Sequence, residues 1–246
     1  MRTERISIYL LLISMTASGY TQGKQDTVKR KLEPALSVSL NSNGIASIPA
    51  FSLGKPAIVA SVNLTKGRFS YDPVLAYSLE MKPWYIDNWL HYKIVSRPAF
   101  TLRAGVNFST FCSGFAVNDE VILKAERYFA FSMTGTYRFS PFTSLSLDYW
   151  SDNGQETGSL SGHFIALAFD QSEAALGEKA FTSVNLMLFY INYNGDNDGL
   201  FVSPRIAFSI RSIPSSIFFQ ATQAIQSNIS PRPGFRWNIG ISYNLI

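Results

Sequence analysis

Ser161 and His163 stand two residues apart in the segment SLSGHFIAL, and on an extended strand positions i and i+2 share one face. A hydroxyl beside an imidazole becomes a nucleophile when the ring takes its proton and a third group orients the ring. Asp152, Asn153 and Glu156 precede the pair and are the candidates for that third group, so acyl hydrolysis is one chemistry to test; a histidine at an apolar interface also needs no reaction to explain it. The other histidine, His91, falls beside Lys93 on what reads below as an inward, polar face. Cys112 is the sole cysteine, which excludes an internal disulfide, and one Cys with two separated His offers no metal-ligand cluster. No glycine-rich phosphate loop or dinucleotide fingerprint occurs, so neither metal nor cofactor is expected.

The charged residues follow a two-residue rhythm. In 68–82, Phe69, Tyr71, Pro73, Leu75, Tyr77, Leu79 and Met81 fall on one face, against Arg68, Ser70, Asp72, Val74, Ala76, Ser78, Glu80 and Lys82 on the other. The closing segment repeats this, with Phe235, Trp237, Ile239, Ile241, Tyr243 and Leu245 against Arg236, Asn238, Gly240, Ser242 and Asn244. Carried along the chain, the register turns Arg68, Lys82, Lys93, Arg103, Lys124, Arg138, Arg205, Arg211 and Arg236 inward, with Asp72, Glu80, Asp87, Glu126 and Asp148. Basic groups outnumber acidic ones in that set, and fixed positive charge lining a passage favours anions. The alternative is that these groups pair across the interior and fill it as a polar core. The net charge of +4 is spread over alternate strand positions and not gathered into a stripe, which argues against nucleic acid as a partner.

An apolar outside and a polar inside invert the logic of a soluble domain and match a wall of strands crossing hydrocarbon, where every backbone group must pair within the wall. The expected fold is all-β, an antiparallel transmembrane β-barrel of about twelve strands, within a range of roughly ten to fourteen. The strands are expected near 35–43, 56–64, 68–82, 84–95, 98–110, 121–139, 142–151, 160–170, 180–193, 199–211, 214–224 and 233–246. Residues 181–193 and 215–224 fit least well, because both of their faces carry apolar groups. A soluble β-sandwich also alternates, but it would not usually mark both ends of many strands with aromatics. Tight turns are expected at 65–67, 96–98, 140–141 and 212–214, with a longer one at 171–178. Longer loops at the opposite end are expected near 44–55, 111–120, 152–159, 194–198 and 225–232. Aromatic belts should form at both rims, with Trp84, Tyr149 and Trp237 at the loop end and Phe69, Tyr71, Tyr92, Tyr137, Phe139, Phe142 and Tyr243 at the turn end.

The first residues read as an export signal: Arg2 and Arg5 precede a short apolar run from Ile6 to Met15, followed by small and polar residues, with cleavage expected between Ala17 and Gly23. That run is too short for a membrane helix, which needs about twenty residues. The expected layout is a signal peptide over 1–23, a charged periplasmic leader over 24–34 and the barrel over 35–246.

The run PAFSLGKPAIVASVNLTKGRFSYDPVLAYSLEMKPW, taken with the closing strand, resembles outer-membrane β-barrel proteins of the Bacteroidota type. That resemblance implies the outer membrane as location, with its lipid and the barrel-assembly machinery as partners, and names no reaction. The basic inward set resembles the twelve-stranded channels for acidic sugars, which implies a narrow passive passage for small solutes with a mild anion preference. The pair Ser161 and His163 resembles the strand-borne pair of outer-membrane phospholipases, in the reverse order Ser-x-His; that implies a lipid acyl hydrolase, with Glu156 as a candidate third member. A closed structural or adhesive barrel acting through its outer loops is the third alternative.

Overall fold

The computed structural model describes residues 31–46, 51–117, 120–195, 197–230 and 233–245, so the expected signal peptide and the first part of the leader lie outside the described residues. Twelve strands form: β1 (Glu33–Asn41), β2 (Ala57–Lys66), β3 (Phe69–Ser78), β4 (Pro83–Ser96), β5 (Phe100–Val117) and β6 (Glu120–Arg138), then β7 (Thr143–Gly154), β8 (Ser161–Ala175), β9 (Ala180–Tyr193), β10 (Asn197–Ile210), β11 (Ser215–Ser227) and β12 (Arg236–Asn244). Each pairs antiparallel with its sequence neighbours, and β1 meets β12 with Ser37 opposite Asn244 and Asn41 opposite Gly240. The sheet is therefore a closed barrel without a free edge.

The outward positions carry Leu75, Leu90, Val106, Phe131, Leu147, Ile165, Leu188, Phe219 and Ile241, all exposed, while the inward positions of the same strands carry buried small or polar residues such as Ser70, Asn107, Ser132 and Thr134. The apolar groups thus face away from the protein on nearly every strand. Phe69, Tyr71, Tyr92, Tyr137, Phe139, Phe142 and Tyr243 are exposed at the end where β1 starts and β12 finishes, and Tyr149 and Trp237 toward the other. Trp84 departs from the expected belt: it is 2% exposed, because its indole Nε1 turns away from the outer surface and donates to the carbonyl of Phe51, 2.7 Å away.

The end where β1 starts carries the tight turns 67–68, 97–99, 139–142, 176–179 and 211–214, and the opposite end carries the longest connections, 42–56 and 228–235. Gly67 closes the first of these turns at φ +65°, a conformation with no steric cost only for glycine.

Several boundaries depart from expectation, and they move functional candidates. First, β3 stops at Ser78, and a turn in which the Ser78 N–H donates to Lys82 O and Met81 takes φ +59° carries Glu80 and Lys82 out of the wall. Alternation in sequence continued through a reversal of direction that it could not register. There Glu80 is held by Lys55 and Lys82 at 3.3 and 3.5 Å. Second, Arg68 belongs to the turn 67–68 and Arg211 to the turn 211–214, so both stand at the rim and not on the inner face. Third, much of 111–120, expected as a loop, is strand: β5 and β6 stay paired from Ser113 opposite Lys124 to Val117 opposite Glu120, since a local hairpin ladder needs no barrel to sustain it. The expected long turn at 171–178 also shortens, because β8 runs to Ala175 past a bulge between Gln171 and Ala174.

Candidate functional site

Two unlike sectors make up the inner face. Along β3 to β7 it is polar. Asp72 accepts from Ser70 Oγ at 3.0 Å and from Asn63 Nδ2, and shares a 2.7 Å hydrogen bond with His91 Nδ1. The His91 ring lies over Gly105, where any Cβ would collide with it and with Ser132 Oγ. Opposite pairs continue the column, with Lys93 facing Arg103, Arg103 facing Thr134 and Thr134 facing Asp148.

The second sector is apolar and crosses the interior. Trp89 of β4 approaches Trp150 of β7 with ring centroids 6.0 Å apart, although β5 and β6 lie between them. From Trp150 the rings continue to Phe164 at 4.3 Å, Phe189 at 5.3 Å and Phe201 at 5.1 Å, so one aromatic ladder joins five strands. Ile191, Tyr193 and Ala224 pack with it. This layer accounts for 181–193, whose second apolar face points inward and is buried. Those doubly apolar segments were its only trace in the sequence.

Residues 42–46 and 51–56 come together over that layer, with Phe51 packed against it. Gly44 N–H donates to Lys55 O and Leu53 N–H to Gly44 O, which doubles the loop back on itself. Its Phe51 then reaches inward against Phe111 at 4.7 Å and Tyr128 at 5.2 Å, and also packs against the aromatic cluster. Below Phe51 lies a cavity of about 260 Å³ whose lining includes Tyr85, Asp87, Trp89, Asn107, Trp150 and Asp152. The loop thus narrows the mouth above a chamber in the lumen.

Of the sequence candidates, Asp72, Asp87, Lys93, Arg103, Glu126, Arg138, Asp148, Arg205 and Arg236 take inward positions on their strands, whereas Arg68, Glu80 and Lys82 lie in turns. Two carboxylates overlooked in the charge count, Asp152 and Asp170, share the inward register: Asp152 is opposite Gly162 and Asp170 is bonded by Asn185 Nδ2 at 2.8 Å. With these added and the rim residues removed, the excess of base over acid inside the wall disappears. Lys93, Arg103, Arg138 and Arg205 share the turn-end half with Asp72, Asp148 and Asp170, and Asp87, Glu126 and Asp152 share the loop-end half with Lys124 and Arg236. Arg205 is further held over the Phe218 ring at 4.3 Å, and Glu126 is bonded by Lys124 Nζ and Ser159 Oγ, each at 2.9 Å.

The hydrolase candidates are not brought together. Ser161 and His163 face outward on β8, but His163 Nδ1 bonds the hydroxyl of Tyr149 at 3.0 Å, and no hydrogen bond joins it to Ser161 Oγ. Glu156 is engaged elsewhere. Arg127 Nε donates to one of its oxygens at 2.6 Å and the Arg127 backbone N–H to the other at 2.7 Å. Among the described residues no group of three His, Cys, Asp or Glu side chains could hold a metal ion.

The two Arg127 bonds hold the Glu156 carboxyl below the usual glutamate range. A depressed value stabilises the closed loop above that range and releases it as pH falls through the lowered value. The Arg127 amide resonance should therefore titrate at a pH below an ordinary glutamate, and Glu156→Gln should abolish the step. A step at the ordinary position would disprove the clamp.

No protein-family profile and no curated protein matches the chain. Solved structures do. A structure described as the KdgM porin is 7% identical, with a TM-score of 0.55, covering 85% of this chain and 98% of its own. An outer membrane channel from Pseudomonas putida F1 is 9% identical, with a TM-score of 0.51, covering 89% of this chain and 98% of its own. The chain has the fold of an outer-membrane porin. At such identities the likeness is one of strand number, closure and sidedness, and the porin-like barrel keeps its own lining.

Proposed function

We propose that this porin-like barrel sits in an outer membrane, is of the Bacteroidota type, and passes small solutes through a narrow lumen. The observation that carries this reading is the polar inner column of β3 to β7, standing inside a closed wall whose outer face is apolar. A barrel built only as a scaffold has no need of a charged column beside a cavity of about 260 Å³. Lipid of the outer membrane would cover the apolar band, and the barrel-assembly machinery would insert it. A mild anion preference rests on Lys93, Arg103, Arg138 and Arg205, which outnumber Asp72, Asp148 and Asp170 in the turn-end half.

Refolded protein in a planar bilayer should give small unitary currents with a reversal potential displaced toward the anion in a salt gradient. Silence at every voltage would end the channel reading. A reversal potential displaced toward the cation would end the anion preference alone.

A further inference from the structure

The chamber below Phe51 has a chemistry of its own. Six aromatic side chains line it: Phe51, Tyr85, Trp89, Phe111, Tyr128 and Trp150. Two carboxylates join them, Asp87 and Asp152, while no lysine, arginine or histidine does. Neither carboxylate takes part in an ion pair among the described residues. Asp87 receives one amide hydrogen bond, from Asn107 Nδ2 at 3.2 Å. Asp152 is 9% exposed and is bonded by the backbone N–H of Gly162 but by no side chain among the described residues.

A carboxylate removed from water with no cation beside it is costly, and a ligand bearing the missing charge removes that cost. Aromatic faces are negative and attract cations, most strongly where water is excluded. An anion would meet two like charges here with no donor cation to offset them, and a neutral polyol would leave both charges uncompensated. We propose that the chamber binds a small organic cation, an alkylammonium group whose charge lies toward Asp152 and Asp87 and whose carbons lie against the rings. The site depends on the lumen's shape and lining and not on conduction. It stands beyond the basic groups of the turn-end half, so local cation binding and an overall anion preference coexist along one path.

Trp89 and Trp150 report on the chamber directly. The full chain in detergent micelles, titrated with choline chloride at constant ionic strength, should show a saturable change in tryptophan fluorescence. The uncharged isostere 3,3-dimethylbutan-1-ol should bind about tenfold more weakly or worse, and Asp152→Asn should weaken choline by a similar factor. Equal binding of the isostere, undiminished binding by a folded Asp152→Asn protein, or saturation by glucose and not by choline would each overturn the proposal. If Asp152→Asn does not fold, Asp87→Asn takes its place, and the choline and isostere comparison needs no variant at all. Choline binding without bilayer current would sink the channel reading and keep this one, and current without choline binding would do the reverse.

Discussion

Phe189→Ala is expected to remove roughly 3–5 kcal/mol from the stability of the barrel, the range for deleting a large aromatic from a packed interior. The ring is 1% exposed and stacks on both Phe164 and Phe201, the latter only 9° from parallel. Phe201 is itself completely buried, so its neighbours have no room to close the gap by moving outward. Denaturant unfolding of the variant in micelles or bilayers measures the loss. The result also decides the state of the lumen. In a water-filled pore an inward phenylalanine is a solvated liability, and its removal costs nothing. A loss below about 1 kcal/mol would mean that water reaches the ladder.

Phe51→Ala is expected to raise unitary conductance by about twofold or more, because an apolar side chain reaching into the mouth blocks passage by excluding water as well as by filling space. The substitution leaves the backbone bonds of the loop in place, from Gly44 to Lys55 and from Trp84 Nε1 to the carbonyl of residue 51, so the loop should keep its course. What is lost is the packing of the ring against Phe111, Tyr128 and the aromatic cluster. Single-channel recording of both proteins under one salt condition gives the ratio. Unchanged conductance would place the constriction elsewhere, with the crossing of Trp89 and Trp150 as the next candidate.

These effects rest on features that differ in how far they were legible in the residues alone. The wall was legible. Side chains on a strand alternate by geometry, so each strand states its own outward face without reference to any other, and twelve such statements with tight turns at one end suffice for a closed, two-faced barrel. Where the pattern misled, it did so at reversals: Glu80 and Lys82 continue the rhythm of β3 through a turn that points them away from the wall. The outward placement of Ser161 and His163 was legible as well. Whether they formed a reactive pair depended on Tyr149, one strand away, and on Arg127, which claims Glu156.

The interior was decided by the tertiary structure. Alternation says which side chains point inward, but not which of them meet. Trp89 and Trp150 become neighbours only because the wall curves and the residues between them, Asn107 and Ala130, are small enough to leave the space. The loop 42–56 carries no periodic signal, so its return into the mouth could be known only from the partners it finds there. A count of inward charges suggested a basic lumen. Folding removed that excess by sending Arg68, Lys82 and Arg211 to the rim, and gathered Asp87 and Asp152 into one aromatic chamber, because height along the barrel depends on the stagger between strands, which no single strand records.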